Sequence, residues 1–231
     1  MVNLERLERL IGTKNIEKIK NKTVLVLGLG GVGGYAVESL ARSGVGTLII
    51  VDYDIVDITN LNRQIIATIN TIGKRKVDAW KERIQIINPE CKVKIIDEKI
   101  VPENIELLFQ DNPDYIVDAC DYMDTKKALI LECVNRNIKL ISSMGTGNKM
   151  DPSKLQIMDI RKTSYDPIAK VLRKFVKDNK ISKKIPVVCS TEVPKKVSSP
   201  VGSNAFVPSY AGLLCTSYII NDLVGDISDI N

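Results

Sequence analysis

The sequence predicts an α/β protein built on a doubly wound, mostly parallel sheet with helices on both faces and a mixed C-terminal extension. Three observations lead there. Short apolar runs rich in β-branched residues alternate with longer helix-periodic stretches. The first such run opens directly into Gly28-Leu-Gly-Gly-Val-Gly33. The second run closes on a carboxylate, Asp52. With 231 residues, 44% of them hydrophobic and 26% charged, the chain can bury one large core.

In order along the chain, residues 4–19 carry Leu and Ile at helical spacing with charges between them. They predict one amphipathic helix, or two short ones broken near Gly12. Residues 23–27 read as a buried strand, 28–33 as a glycine turn, and 35–43 as a helix stopped by Gly44 and Gly46. A second strand covers 47–51, and 52–62 is polar and irregular. A helix over 74–87 halts at Asn88-Pro89, because a residue before proline is pushed out of the helical region. Strands at 92–96, 114–117 and 139–142 follow, with a short helix at 102–110 and a longer one at 124–136. Five strand–helix units in series predict parallel pairing.

After Ser143 the pattern loosens. Residues 155–160 and 186–189 predict strands, 167–180 a basic helix, and 195–204 a polar, mobile loop. The apolar stretch 206–224 is interrupted by Pro208, Ser209, Thr216, Ser217, Asn221 and Asp222. A membrane span needs about 20 predominantly apolar residues, so this stretch predicts a buried core helix, and the chain is expected to be cytoplasmic without stable membrane insertion. With no repeat and no clear linker, a single domain is expected over 1–231. Its nucleotide-binding part is 1–150, and 151–231 is a basic extension.

Composition narrows the chemistry. Histidine is absent, which excludes His-based triads, His general bases and His-ligated metals. Five cysteines, Cys91, Cys120, Cys133, Cys189 and Cys215, form no CxxC pair and predict buried packing rather than zinc or a disulfide scaffold. Net charge is +5, yet 161–196 holds 11 Lys or Arg against 3 Asp or Glu. Such a concentration attracts a polyanion, for which a phosphate backbone is the obvious candidate.

The glycine turn carries the strongest signal. Residues without Cβ let backbone N–H groups approach phosphate, and the following helix adds a partial positive charge at its N-terminus. Asp52, about 20 residues on, can accept hydrogen bonds from ribose hydroxyls. Strand, glycines, helix, strand and acid in this order predict a Rossmann-like nucleotide site. They do not separate an NAD enzyme from an ATP enzyme. Arg63 and Lys76 follow the acid, and two extra cations suit a triphosphate better than a dinucleotide pyrophosphate. Asp118 and Asp121 end the fourth strand, where open α/β sheets bind ligands; an acid there is a candidate Mg²⁺ ligand.

GLGGVG, VDYD, NLNRQI, GKRK and VDACD together resemble the ubiquitin-activating-enzyme superfamily of adenylate-forming, ThiF-type proteins. Arg83–Cys91, Met144–Pro152, Ile160–Pro167 and Ser190–Glu192 narrow the resemblance to the tRNA threonylcarbamoyladenosine dehydratases, from about Arg6 to Leu223. That resemblance implies ATP-dependent cyclisation of threonylcarbamoyladenosine, an adenosine beside the tRNA anticodon, through an adenylated carboxylate, with ATP and Mg²⁺ as cofactors. It implies that Gly28, Gly30, Gly31 and Gly33 hold the phosphate region, that Asp52 binds ribose with Asp54 in support, and that Gln64 belongs to the nucleotide-binding set. Arg63 and Lys76 would neutralise the phosphates in transfer, and Asp121 would hold Mg²⁺. Superfamily members lend an arginine from the N-terminal helix, often across a homodimer; Arg6 is the better match and Arg9 the alternative. The segment 161–196 becomes a tRNA-contact candidate, and a sulfur-transfer partner protein is compatible with the resemblance. The same core motifs also suit an adenylyltransferase that activates the C-terminal glycine of a ubiquitin-like sulfur carrier.

Overall fold

The computed structural model describes residues 2–195 and 200–225. Its elements, in chain order, are α1 (Glu5–Ile11), α2 (Thr13–Lys20), β1 (Thr23–Leu27), α3 (Gly33–Arg42), β2 (Thr47–Val51), α4 (Lys76–Ile87) and β3 (Lys92–Ile96). After these come β4 (Tyr115–Asp118), α5 (Met123–Arg136), β5 (Lys139–Ser143), β6 (Leu155–Asp159), α6 (Pro167–Asp178), β7 (Pro186–Ser190) and α7 (Val207–Val224). The seven strands form one sheet in the order β3-β2-β1-β4-β5-β7-β6. All pairings are parallel except β6 with β7, at the edge contributed by the C-terminal extension.

Both faces of this sheet are covered, which explains strands that read as continuous apolar runs instead of alternating ones. Val24 and Val26 of β1 face a core built with α2, α3, α4 and α7. Leu25 and Leu27 face a second core, built with α5, α6 and the 3₁₀ segment Pro102–Leu108. The last helix returns to the first βαβ unit. Ser39 Oγ donates to Thr216 Oγ1 at 2.8 Å, and Gly212 brings α7 against the start of α3.

Three local departures from the sequence reading have physical causes. The helix expected at 102–110 is 3₁₀, because Asn104 leaves helical geometry (φ −117°, ψ 16°) and its side chain accepts the Val101 N–H. The helix expected from residue 74 starts at Lys76, because Val56 N bonds Lys74 O and Ile55 bridges Arg75, which holds Arg75 extended. The loop expected to be mobile at 195–204 is anchored where it is described. Lys195 N donates to Asn148 O, Gly202 N to Asn148 Oδ1 at 2.7 Å, and Asn148 N back to Gly202 O at 2.8 Å. Residues 196–199 of that loop lie outside the described residues. Among the described residues no helix is long and apolar enough to cross a membrane.

A Cβ at residue 212 would stand 2.2 Å from the Val32 carbonyl oxygen, so Gly212→Ala must push α7 off α3. The expected destabilisation is about 1–3 kcal/mol. In a chain of this size that lowers the thermal midpoint by roughly 3–10 °C. Calorimetry checks it, and an unchanged midpoint contradicts the close helix contact.

Candidate active site

The strand order reverses between β1 and β4, and open α/β sheets bind ligands beside the carboxyl ends of strands at such a point. A cavity of about 620 Å³ lies there, lined by the ends of β1, β2 and β4 and by the loop after β3. Of the residues expected at the site, Gly28, Gly30, Gly31, Asp52, Asp54, Arg63, Gln64, Lys76 and Asp121 all line it. Gly33 does not. Its role is in the turn itself, since a Cβ there would meet the Gly28 carbonyl oxygen at 1.7 Å.

Asp52 organises the cavity floor. Its carboxylate accepts Leu29 N–H at 2.6 Å and Asp54 N–H at 2.9 Å, so one side chain fixes both the glycine turn and the loop after β2. Burial raises its pKa above the ordinary carboxylate value, against the opposing pull of Lys76 and the two N–H donors. Lys76 is buried, with its Nζ 2.8 Å from Asp54 Oδ2 and 3.8 Å from Asp52 Oδ2. Arg63 donates from Nη1 to Thr59 O and Asn62 Oδ1 and has no carboxylate in ion-pair range among the described residues. Its charge is therefore uncompensated beside the glycines. Gln64 is 7% exposed, its Oε1 has no hydrogen-bond partner among the described residues, and its Nε2 faces Gly30. An orphaned polar atom on a cavity wall is a vacant contact for a polar ligand.

Asp118 and Asp121 separate sharply. Asp121 is exposed at the cavity and carries no ion pair among the described residues. Asp118 is fully buried, and both its oxygens are taken. Oδ2 accepts from Lys126 Nζ at 2.9 Å and Ser142 Oγ at 2.6 Å, and Oδ1 accepts from Cys120 N. Of the two acids at this strand end, Asp118 is thus engaged inside the core and only Asp121 is open to the cavity. No group of three or more acids or cysteines able to hold a metal occurs among the described residues.

Lys126 escaped the sequence reading. Its Nζ also donates to Ser142 Oγ and Ser143 O, and the ammonium is 1% exposed. Burial acts to lower its pKa, and Asp118 with the neighbouring polar groups outweighs that, so the net direction is upward. The signal was present: Lys126 shares the apolar face of α5 with Leu129, Ile130 and Cys133 at helical spacing.

The two ends of the cavity differ. At one end Tyr53 and Tyr122 bond through their hydroxyls at 3.0 Å, with Lys99 Nζ 4.3 Å from the Tyr122 ring centre. At the other, Thr146, Ser203 and Pro208 form the wall. Behind that wall three of the quoted motif segments lock together. Lys149 Nζ reaches Asp166 Oδ2 at 2.8 Å and Gly145 O at 2.5 Å, with the pair 1% exposed on each side. Asp166 also caps α6 through Ala169 N, and Glu192 accepts from Met150 N and Asp151 N.

Arg6 is not brought to this cavity. It is exposed on α1, which follows Leu4, packed at Gly44 before β2, on the amino-terminal edge of the sheet and away from the cavity. Arg9 pairs with Glu5. Cys189 is buried, and that burial raises its thiol to about 11, which fits packing. In the basic segment, Arg161, Arg173 and Lys183 donate to backbone carbonyls, Arg173 half-buried and the other two exposed, whereas the exposed Lys162, Lys170, Lys177 and Lys184 make no such bond among the described residues; Lys196 lies outside the described residues.

This fold and cavity define a nucleotide-binding protein of the ThiF type: the sequence profile of the ThiF family matches residues 4–202, and the chain belongs to that family. Within it, the chain groups with the tRNA threonylcarbamoyladenosine dehydratases. It is 46% identical to the enzyme of that name from Bacillus subtilis, over 96% of this chain and 94% of the relative. To the Haemophilus influenzae enzyme of that name it is 35% identical, over 94% and 91%. The crystal structure of E. coli tRNA N6-threonylcarbamoyladenosine dehydratase in complex with ATP superposes with a TM-score of 0.90 at 34% identity, covering 95% of this chain and 93% of that one. These near full-length matches favour the dehydratase over the sulfur-carrier adenylyltransferase that the core motifs alone left open.

Breaking the Lys126–Asp118 pair strands a charge in the core, which typically costs about 3–5 kcal/mol. Lys126→Met is expected to lower the denaturation midpoint accordingly, and adding Asp118→Asn to recover part of the loss. Equal stability of Lys126→Met and the parent in urea melts would contradict the pairing.

Proposed function

We infer that the chain is an ATP-dependent tRNA threonylcarbamoyladenosine dehydratase. The observation that carries the inference is the union of two features in one cavity. A glycine turn faced by the uncompensated Arg63 and the buried Lys76 stands at the switch point, and the dehydratase-specific segments build the adjoining wall. The chemistry follows from the substrate. A carboxylate resists displacement because its leaving group would be oxide or hydroxide. Attack of the threonylcarbamoyl carboxylate on the α-phosphorus of ATP releases pyrophosphate and leaves an acyl adenylate. The tethered carbamoyl group then adds to the activated carbonyl, and AMP departs as the ring closes. Because both reacting groups sit on one nucleoside, proximity lowers the barrier of the second step without an enzymic nucleophile. A chain lacking histidine can support such a reaction.

Asp52 is suited to accept ribose hydroxyls at the edge of its buried carboxylate, and Asp54 to hold Lys76 until a phosphate oxygen replaces it as the partner of Nζ. The N–H groups of the turn, with Arg63 and Gln64, face the phosphates, and charge that develops on the pyrophosphate in transfer meets Arg63 and Lys76. The exposed, unpaired Asp121 fits Mg²⁺, which takes one or two carboxylates and completes its shell with phosphates and water. Bound there, the ion would neutralise phosphate charge. Arg6 can reach a cavity only in a second copy of the chain, which makes a homodimer part of this proposal. The exposed cations of the 151–231 extension are its tRNA-contact surface.

Incubation with ATP, Mg²⁺ and tRNA carrying threonylcarbamoyladenosine, followed by nucleoside digestion and mass spectrometry, is expected to show the modified nucleoside lighter by one water. No mass loss overturns the function. Arg63→Ala and Lys76→Ala are each expected to lower turnover about 10²-fold or more, as loss of a preorganised transition-state cation does. Near-parent rates in both variants would remove these two residues from the mechanism.

A further inference from the structure

We propose that Tyr165 is a stacking platform for an unpaired base of the tRNA anticodon loop, with Lys170, Lys174 and Lys177 of α6 carrying the phosphates that lead to it. The proposal rests on the dehydratase reading and adds to it how the substrate loop is held.

Tyr165 is 62% exposed, and its backbone is left-handed, with φ of 58°. A tyrosine in that region is strained by about 1–2 kcal/mol and persists only where its surroundings fix it. Here both flanks are fixed. On one side Thr163 Oγ1 donates to Ile160 O, and Arg173 Nη1 donates to Thr163 Oγ1 at 2.6 Å and to Thr163 O at 2.9 Å. On the other, Asp166 is held by Lys149 at 2.8 Å and by Ala169 N at 3.0 Å. Between them the phenol ring forms no hydrogen bond and covers no cation among the described residues. A large apolar ring is thus held out toward solvent by a buried ion pair and an arginine clamp.

The neighbourhood says what such a ring would meet. Lys170, Lys174 and Lys177 fall at i, i+4 and i+7 on the exposed side of α6, and Lys162 precedes the platform. Only Lys174 has an acidic partner among the described residues, the exposed Asp178. An aromatic face at one end of a cationic track matches the way single-stranded nucleotides are bound, with bases stacked and the backbone neutralised. The residue after the platform packs beside the cavity wall. Asp166 Oδ2 lies 3.0 Å from where a Cβ on Gly145 would stand, and the next residue, Thr146, lines the wall opposite the tyrosine end. A base stacked on Tyr165 would leave its neighbour in the loop, the modified adenosine, at the entrance beside Thr146. Tyr165 is in this sense a positioning residue.

The test uses the full chain, ATP alone, and the anticodon stem-loop bearing the modified adenosine. Tyr165→Asn removes the ring but keeps a residue tolerant of left-handed backbone, and Tyr165→Phe keeps the ring. Tyr165→Asn is expected to weaken stem-loop binding about 10-fold or more, within the range for loss of one base–aromatic stack. It should raise KM for the RNA while kcat, ATP affinity and thermal midpoint hold. Tyr165→Phe should stay within about 2-fold of the parent throughout. Replacing the three lysines together with Gln should reduce the magnitude of the salt slope of stem-loop binding by about 2, whereas Lys81→Gln on α4 should leave it unchanged. Parent-like RNA binding by Tyr165→Asn overturns the proposal, as does a parallel loss of ATP affinity or folding in that variant. If the parent binds the stem-loop, loses affinity on Tyr165→Asn, and yet removes no water, the platform stands and the dehydratase reading falls.

Discussion

The carboxylate of Asp52 holds together the parts of the chain on which the cavity depends. It is anchored at the end of β2, receives the backbone of the glycine turn at Leu29, fixes the following loop at Asp54, and sits 3.8 Å from the Lys76 ammonium. A turn of four glycines in six residues has little conformational preference of its own. What gives it one shape is a buried acceptor aimed at a single N–H, together with the Gly33–Gly28 contact that forbids a Cβ. Keeping that acceptor ionised in a low-dielectric place requires a cation nearby, and Lys76 supplies it.

The same device recurs farther along the carboxyl edge of the sheet. Asp118–Lys126 lies under the β4 and β5 ends, and Lys149–Asp166 joins the segment after β5 to the start of α6. Isolated buried ions are expensive, and a buried pair is weak evidence for stability. Each of these pairs, however, has its remaining donors and acceptors met by serine hydroxyls, carbonyls or helix N–H groups. Their shared effect is positional. Each draws the start of a helix on one face of the sheet against a strand end or the loop beyond it, and so sets the outline of the cavity wall.

Much of this was legible in the sequence because strands and the glycine turn announce themselves locally. Every strand predicted from an apolar run is present, with ends shifted by at most one residue, and Asp52, Arg63, Gln64 and Lys76 share one cavity. What stayed hidden depends on distant pairing. The antiparallel direction of β6 is set by its neighbour β7 and not by its own residues. Asp118 reads from its strand position like Asp121, and only the location of Lys126, one helix away, shows that its oxygens are already taken. Lys149, Asp166 and Glu192 belong to segments quoted as a resemblance, yet nothing in their spacing states that they converge. Likewise Arg161, Arg173 and Lys183 spend donors on backbone carbonyls of their own chain, which a count that treats every cation as free does not register.

The return of α7 onto α3 also bears on the order of assembly. Ser203 and Pro208, which complete the cavity wall, and Gly212, which docks α7 on the first unit, lie far downstream of β1 and β2 in the sequence. A nascent polypeptide emerging from the ribosome can lay down β1, the glycine turn and β2 early, but its nucleotide pocket has an open side until residues 203–212 have been made. Products that stop short of Ser203 would therefore carry the recognisable motif without the finished binding site.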